Sequence, residues 1–266
     1  KQLREEVNAE RGELGKKPID DDDPPTVTRT VSATDPDSGM FVKGEHERQF
    51  AYEAHTACER HGFVLDVAVT AGNVHDSMAW DEIYDCVTEK YTVEYLVMDA
   101  GYKTPWIAKK VLDDGHIPIL PYTRYKGKSD QMKPWQYIYD GQNDQYICPK
   151  GGILRHTTTD KEGKRTYRSN PKHCKDCPYK ALCGANEKGQ KVFWRHIWQE
   201  ALDLVEQLRK TERGKEIYAM RKETIERVFA DAKEKHAMRY TQHRGLARVT
   251  NWVRLKFAAM NLTKLA

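Results

Sequence analysis

Val93-Glu94-Tyr95-Leu96-Val97-Met98-Asp99-Ala100-Gly101-Tyr102 is a short apolar run that ends in a carboxylate and a glycine. A run of this length closed by turn residues reads as a buried strand, here over Val93 to Met98. The carboxylate of Asp99 then sits where open α/β sheets place their ligands, beyond the carboxyl end of a strand. Its alternative use is as a cap for the segment from Thr104. Working outward, Thr104 to Asp113 has helical periodicity with Pro105 in the first turn, and Ile117 to Leu120 is another strand. Upstream, His75 to Glu89 is a predicted helix. Phe50 to Cys58 and Phe63 to Thr70 are predicted strands joined through Arg60-His61-Gly62, and Thr26 to Thr34 is a further one. Asp35-Pro36-Asp37-Ser38-Gly39 makes a turn. Strands interleaved with helices in this order predict an α/β domain with a mixed sheet.

The second informative stretch is Tyr218 to Lys233. Ile217, Met220, Ile225, Val228, Phe229 and Ala232 recur at roughly helical spacing, which predicts one amphipathic helix. Lys233 lies two turns past Glu226 at nearly the same azimuth, and Arg221 and Tyr218 precede it. A carboxylate flanked by cations and a phenol suits a metal ion bound to a phosphodiester. An exposed helix of mixed charge would look the same.

Taken together, Tyr218, Arg221, Glu226 and Lys233 resemble the Tyr…Arg…Glu…Lys signature of DDE transposases from bacterial insertion sequences. Six residues separate Glu226 from Lys233, as in that signature, and four separate Arg221 from Glu226, one more than its commonest form. Asp99-Ala100-Gly101-Tyr102 resembles the block carrying the family's second catalytic Asp, and Thr70 to Ser77 resembles the segment before it. The resemblance covers about residues 26 to 266 and implies an RNase H-like core. It further implies Asp99 and Glu226 as ligands of Mg²⁺ or Mn²⁺, with Lys233, Arg221 and Tyr218 assisting, and DNA cleavage and strand transfer by a homo-oligomer on DNA. Asp76 matches a recurring structural position and is not expected to bind metal. The family's first Asp has no counterpart before Asp35. Either the chain is a C-terminal piece lacking the first strand, which is the expected case, or Asp35 stands in.

Between Tyr122 and Trp194 the pattern changes to aromatics alternating with polar residues, followed by Cys148, Cys174, Cys177 and Cys183. Four clustered cysteines with one Cys-x2-Cys predict a structural zinc site, with His156 or His173 as substitutes; free thiols or a redox pair are the alternatives. Cys58 and Cys86 read as core residues. Between Pro121 and Gln199 there are 16 Lys and Arg against 7 Asp and Glu, and 15 against 9 from Glu200 onward. This basic half calls for a polyanion partner, double-stranded DNA in the transposase reading, with Arg239 and Arg244 as phosphate contacts. The aromatics of the module suit packing or unstacked bases.

The expected organisation is a polar arm or linker over 1–25, its Lys1 to Lys17 a short helix or an arm, with an acidic breaker at Asp20 to Pro25, then a core over 26–121. An inserted module follows over 122–195, and helices over 196–266 complete the core, the last from Val249 to Leu265. No apolar run approaches membrane-spanning length and no signal peptide is visible, so a cytoplasmic, nucleoid-associated protein is expected. A non-catalytic zinc-containing DNA-binding module and an RNase H-like nuclease without strand transfer are the rival functions.

Overall fold

The computed structural model describes residues 1–20, 28–44, 46–125, 127–128 and 130–266. In chain order the elements are α1 (Gln2–Glu13), β1 (Gly39–Lys43), β2 (Glu47–Cys58), β3 (Val64–Ala71), α2 (Asp76–Lys90), β4 (Tyr95–Val97), α3 (Pro105–Asp113) and β5 (Ile117–Ile119). Then follow β6 (Ile138–Asp140), β7 (Gln145–Ile147), β8 (Ile153–Thr159), β9 (Lys164–Ser169), α4 (Pro171–Cys174), α5 (Lys180–Cys183) and β10 (Val192–His196). The chain ends with α6 (Gln199–Lys210), α7 (Glu212–Ala219), α8 (Ile225–Glu234) and α9 (Leu246–Leu265). Among the described residues no helix is long and apolar enough to cross a membrane. The chain divides into two compact units, one of Lys1–Pro24 with Thr123–Glu200, the other of Pro25–Tyr122 with Ala201–Ala266.

In the larger unit, β1, β2 and β3 form an antiparallel sheet and β4 and β5 a separate parallel pair. This corrects the expectation of one mixed sheet: among the described residues β4 pairs only with β5. The expected strand at Thr26 to Thr34 is absent over residues 28–34, and residues 26 and 27 lie outside the described residues. Most of the acidic breaker, residues 21–25, lies outside them too. The alternation of β2 explains the layering. Tyr52, Ala54 and Cys58 pack with Val228 and Ala232 of α8 and with Val249, Val253, Phe257 and Met260 of α9. On the other face Ala57 joins Ala68, Ile83 and Val87, which seats α2. A third cluster, with Trp80, Tyr84, Ile107, Val111, Leu120 and Val205, packs α2, α3 and α6 around β4 and β5.

Local chemistry sets the ends of these helices. Thr104 Oγ1 accepts the Ile107 N–H at 3.2 Å and Pro105 follows at the first helical position, so α3 begins where its sequence asks. His75 caps α2 in the same way through Ser77. The predicted helix from Tyr218 to Lys233 is in fact interrupted. α7 ends at Ala219, a single tight turn covers Met220 to Lys222, and Thr224 leaves helical geometry with ψ −101° before α8 starts. The Thr224 hydroxyl bonds back to the Met220 carbonyl at 3.0 Å, the local competition by which threonine disfavours helix interiors.

In the smaller unit, five antiparallel strands lie in the order β10-β9-β8-β7-β6. Helix α1 is docked on this unit rather than forming an arm. Val7 is fully buried, and the Thr159 hydroxyl donates to Glu10 at 2.8 Å. Arg165 pairs with Glu10, and the Trp198 indole donates to Glu6 at 2.6 Å.

Candidate active site

Asp99 stands at the point where the chain leaves β4. The Met98 N–H still donates to the Ile119 carbonyl at 3.1 Å, which continues the ladder one residue past the strand. At Asp99 the side chain turns back to accept the Ala100 N–H at 2.5 Å and starts a single turn over Ala100–Tyr102. That turn is pressed against Asp76. A Cβ on Gly101 would lie 2.1 Å from Asp76 Oδ2, so glycine is the residue that this approach admits. The Asp99 carboxylate itself is 60% exposed.

Arg221 reaches this carboxylate from the turn between α7 and α8. Its guanidinium, only 15% exposed, places Nη2 3.5 Å from Asp99 Oδ2 and donates from Nη1 to the Tyr218 hydroxyl at 2.9 Å. Arg221 Nε is buried with no hydrogen-bond partner among the described residues. A cation held in this way, desolvated on its stem and facing a half-free carboxylate, is poised to take a second anion. Glu226 follows in the first turn of α8, exposed. Glu226 and Lys233 do share one helix, α8, whereas Tyr218 and Arg221 do not belong to it.

Near Asp99 lies a group of two residues that the sequence reading did not single out, Glu53 and His55, with Asp76, which it expected to be structural and not a metal ligand. Glu53 and His55 project from the same face of β2, and Asp76 opens α2. One ligand atom from each lies within 4.8 Å of the others. His55 Nε2 is hydrogen-bonded to Thr70 Oγ1 at 2.9 Å, and its Nδ1 faces Asp76 Oδ1 at 3.5 Å and the Tyr102 hydroxyl at 3.4 Å. The ring is 1% exposed. Burial pushes the His55 pKa down, Asp76 opposing, and pushes the Glu53 carboxyl up, with Asp76 adding to the rise. The Tyr102 phenol is also raised, by burial first and then by Asp76, Glu53 and Asp99. Three carboxylates therefore act on one phenol. A neutral imidazole with two acids can hold a divalent cation. The only signal in the sequence was the one-residue spacing of Glu53 and His55 on a strand, which an ordinary half-buried strand shares.

Asp35 stands elsewhere, towards α9. Its two oxygens accept from the Tyr52 hydroxyl at 2.8 and 2.9 Å, and Oδ1 also accepts the Gly245 N–H at 3.1 Å. Asp37 accepts the Leu246 N–H at 3.0 Å. Tyr52 and Glu53 are neighbours on β2, so they point to opposite faces of the sheet. Arg239 is exposed and paired with Glu234, and Arg244 is exposed in the loop before α9.

In the smaller unit the four cysteines are free thiols, all partly buried. Burial pushes the Tyr137 phenol up, and the charges of Cys183, Cys148, Cys174 and Cys177 add to the rise. Cys148 Sγ accepts the Gly152 N–H at 3.2 Å in the turn between β7 and β8. Among the described residues the sulfurs do not form a set of three mutually within 4.8 Å, as Glu53, His55 and Asp76 do.

Residues 147–266 match the family model described as "Transposase DDE domain". No curated protein and no solved structure matches the chain. The matched stretch contains Glu226, Lys233, Arg221 and all four cysteines of the cluster; Asp99, Asp35 and Asp76 precede it. Over residues 147–266, somewhat less than half of its length, the chain is thus similar to the transposase DDE domain family.

Proposed function

We propose that this chain performs metal-dependent DNA strand cleavage and strand transfer at the ends of an insertion sequence. The observation that carries the reading is the contact of Arg221 with Asp99. It joins the Tyr218–Lys233 segment, inside the matched family stretch, to the strand-end carboxylate outside it. Asp99 and Glu226 are exposed hard oxygen donors, the type that Mg²⁺ or Mn²⁺ takes, and among the described residues Arg221 is the one ion-pair partner of Asp99 and Glu226 has none. A bound divalent ion would supply Lewis-acid stabilisation of an in-line displacement at phosphorus. Glu53 and Asp76, which share the surroundings of Tyr102 with Asp99, offer further oxygen donors to the same neighbourhood.

Each protein group then has a physical task. Arg221, oriented by Tyr218, balances charge on a phosphate placed beside Asp99. Lys233, on the Glu226 side of α8, holds the next phosphate as a point charge. Arg239 and Arg244 contact the backbone of duplex DNA. We assign Asp35 to anchoring α9 through Tyr52 and Gly245 rather than to the metal. The four partly buried free thiols suit a structural Zn²⁺, which would draw them together. DNA ends handled in pairs imply a homo-oligomer on DNA, working in a bacterial cytoplasm.

The test is a plasmid assay with Mg²⁺ or Mn²⁺ and a labelled oligonucleotide bearing a free 3′-hydroxyl. Wild-type protein should nick and join, and Asp99→Asn and Glu226→Gln should each abolish both. Nicking without joining would make it a nuclease. DNA binding that survives with neither reaction would make it a binding module.

A further inference from the structure

The five-stranded sheet of the smaller unit has one face that the fold fills and one that it leaves to solvent. On the filled face the Tyr139, Tyr146, Tyr167 and Phe193 rings pack on one another, and Tyr137 lies against Phe193 with centroids 4.4 Å apart. Cross-strand register sets the opposite face. Ile138, Ile147 and Ile153 form one row, Arg155 and Arg168 stand in the next, and Trp194 lies on the edge strand β10. The solvent side of an antiparallel sheet ordinarily carries polar residues. Here Ile138 is 67% exposed, Ile153 40% and Trp194 65%.

Arg155 and Arg168 are direct partners across β8 and β9. Like charges placed so oppose folding, and neither has an ion-pair partner among the described residues. A guanidinium pair between an isoleucine row and a bare indole is complementary to an anion that also carries flat apolar groups. Nucleic acid with unpaired bases has that chemistry: phosphate for the arginines, base faces for Trp194 and the isoleucines. Duplex DNA buries its base faces and offers this surface only phosphate. A second copy of the chain docked symmetrically here would bring two arginine pairs into one interface.

We propose that this face binds single-stranded DNA without sequence preference, Trp194 stacking on a base and Arg155 with Arg168 holding adjacent phosphates. The inference rests on the reading of the chain as acting on DNA, and it names the part of that substrate which the smaller unit takes: the strand left unpaired around a cut.

The experiment is fluorescence anisotropy of a labelled thymidine homopolymer of about 16 nucleotides, with the same length of duplex as comparison, on the full chain. Trp194→Ala should weaken single-strand binding roughly tenfold, and Trp194→Phe should restore most of it. Arg155→Gln with Arg168→Gln should flatten the plot of log affinity against log salt by about 1.4. Duplex affinity should change little in the tryptophan variants. The side chains at all three sites are exposed, and circular dichroism checks that the variants fold. Unchanged single-strand binding in Trp194→Ala and in the double arginine variant overturns the proposal. So does a change only in a concentration-dependent dimer, which would make the face a contact between copies. Binding that depends on Trp194 in a protein that neither nicks nor joins DNA would sink the transposase reading and leave this one standing. Nicking and joining with Trp194-independent binding would do the reverse.

Discussion

Arg221 is the residue on which the site turns, because it touches both Tyr218 and Asp99. Replacing it with alanine removes a buried cation from beside a carboxylate and should lower the cleavage rate by about 10²- to 10³-fold, the scale of losing one charge-stabilising donor. Lysine should not rescue it, since one ammonium cannot serve two directions as the planar fork does. A rate of Arg221→Ala within a few-fold of wild type in the plasmid assay would remove Arg221 from the site. Asp35 separates anchoring from catalysis. Asp35→Asn loses a charge at the N-terminus of α9 and should cost about 0.5–1 kcal/mol in urea unfolding while cleavage persists. Cleavage abolished in a stable Asp35→Asn protein would return Asp35 to the metal.

The elements differ in how openly the sequence announced them. β2, β3, α2 and α3 follow from alternation, apolar periodicity and a Thr-Pro start, because those signals report the same burial that forms the element. The break between α7 and α8 was hidden. No glycine or proline interrupts Tyr218 to Lys233, and only Thr224 marks the place, by a side-chain bond that Thr250 and Thr263 also make inside the unbroken α9. The expected strand before Asp35 failed for a related reason. Thr and Val favour extended backbone, yet residues 28–34 have no neighbouring strand to pair with. Glu53 on β2 carries a test of its own. Its folded-state pKa is raised above the ordinary 4.5, by burial and then by Asp76. The stability it contributes is therefore complete below the unfolded pKa and is lost as pH rises through the folded value. Glu53→Gln should raise Tm by roughly 2 °C at neutral pH and leave it unchanged in acid below 4.5. Equal Tm differences at both pH values would contradict a half-buried carboxyl held protonated here.

At the scale of the whole molecule, the basic C-terminal half was readable from a count of charges, whereas the docking of α1 was not. Glu10 meets Arg165 and Thr159 across about 150 residues of chain, and nothing local in an Arg- and Glu-rich helix points to that partner. The cysteine cluster lies between these cases: the spacing was legible, while among the described residues no three of the sulfurs lie within 4.8 Å of one another. Protein purified without chelator should carry one zinc ion per chain by elemental analysis, and Cys174→Ser with Cys177→Ser should carry none. Equal zinc in both would contradict the assignment. The central claim is that Asp99 and Glu226 act on one metal site, although 126 residues lie between them. Anomalous diffraction from crystals soaked in Mn²⁺ tests it most directly. The account predicts a peak coordinated by Asp99 and Glu226 at about 2.0–2.2 Å, with Arg221 alongside. Carboxylates that stay apart, with no shared manganese, would contradict it.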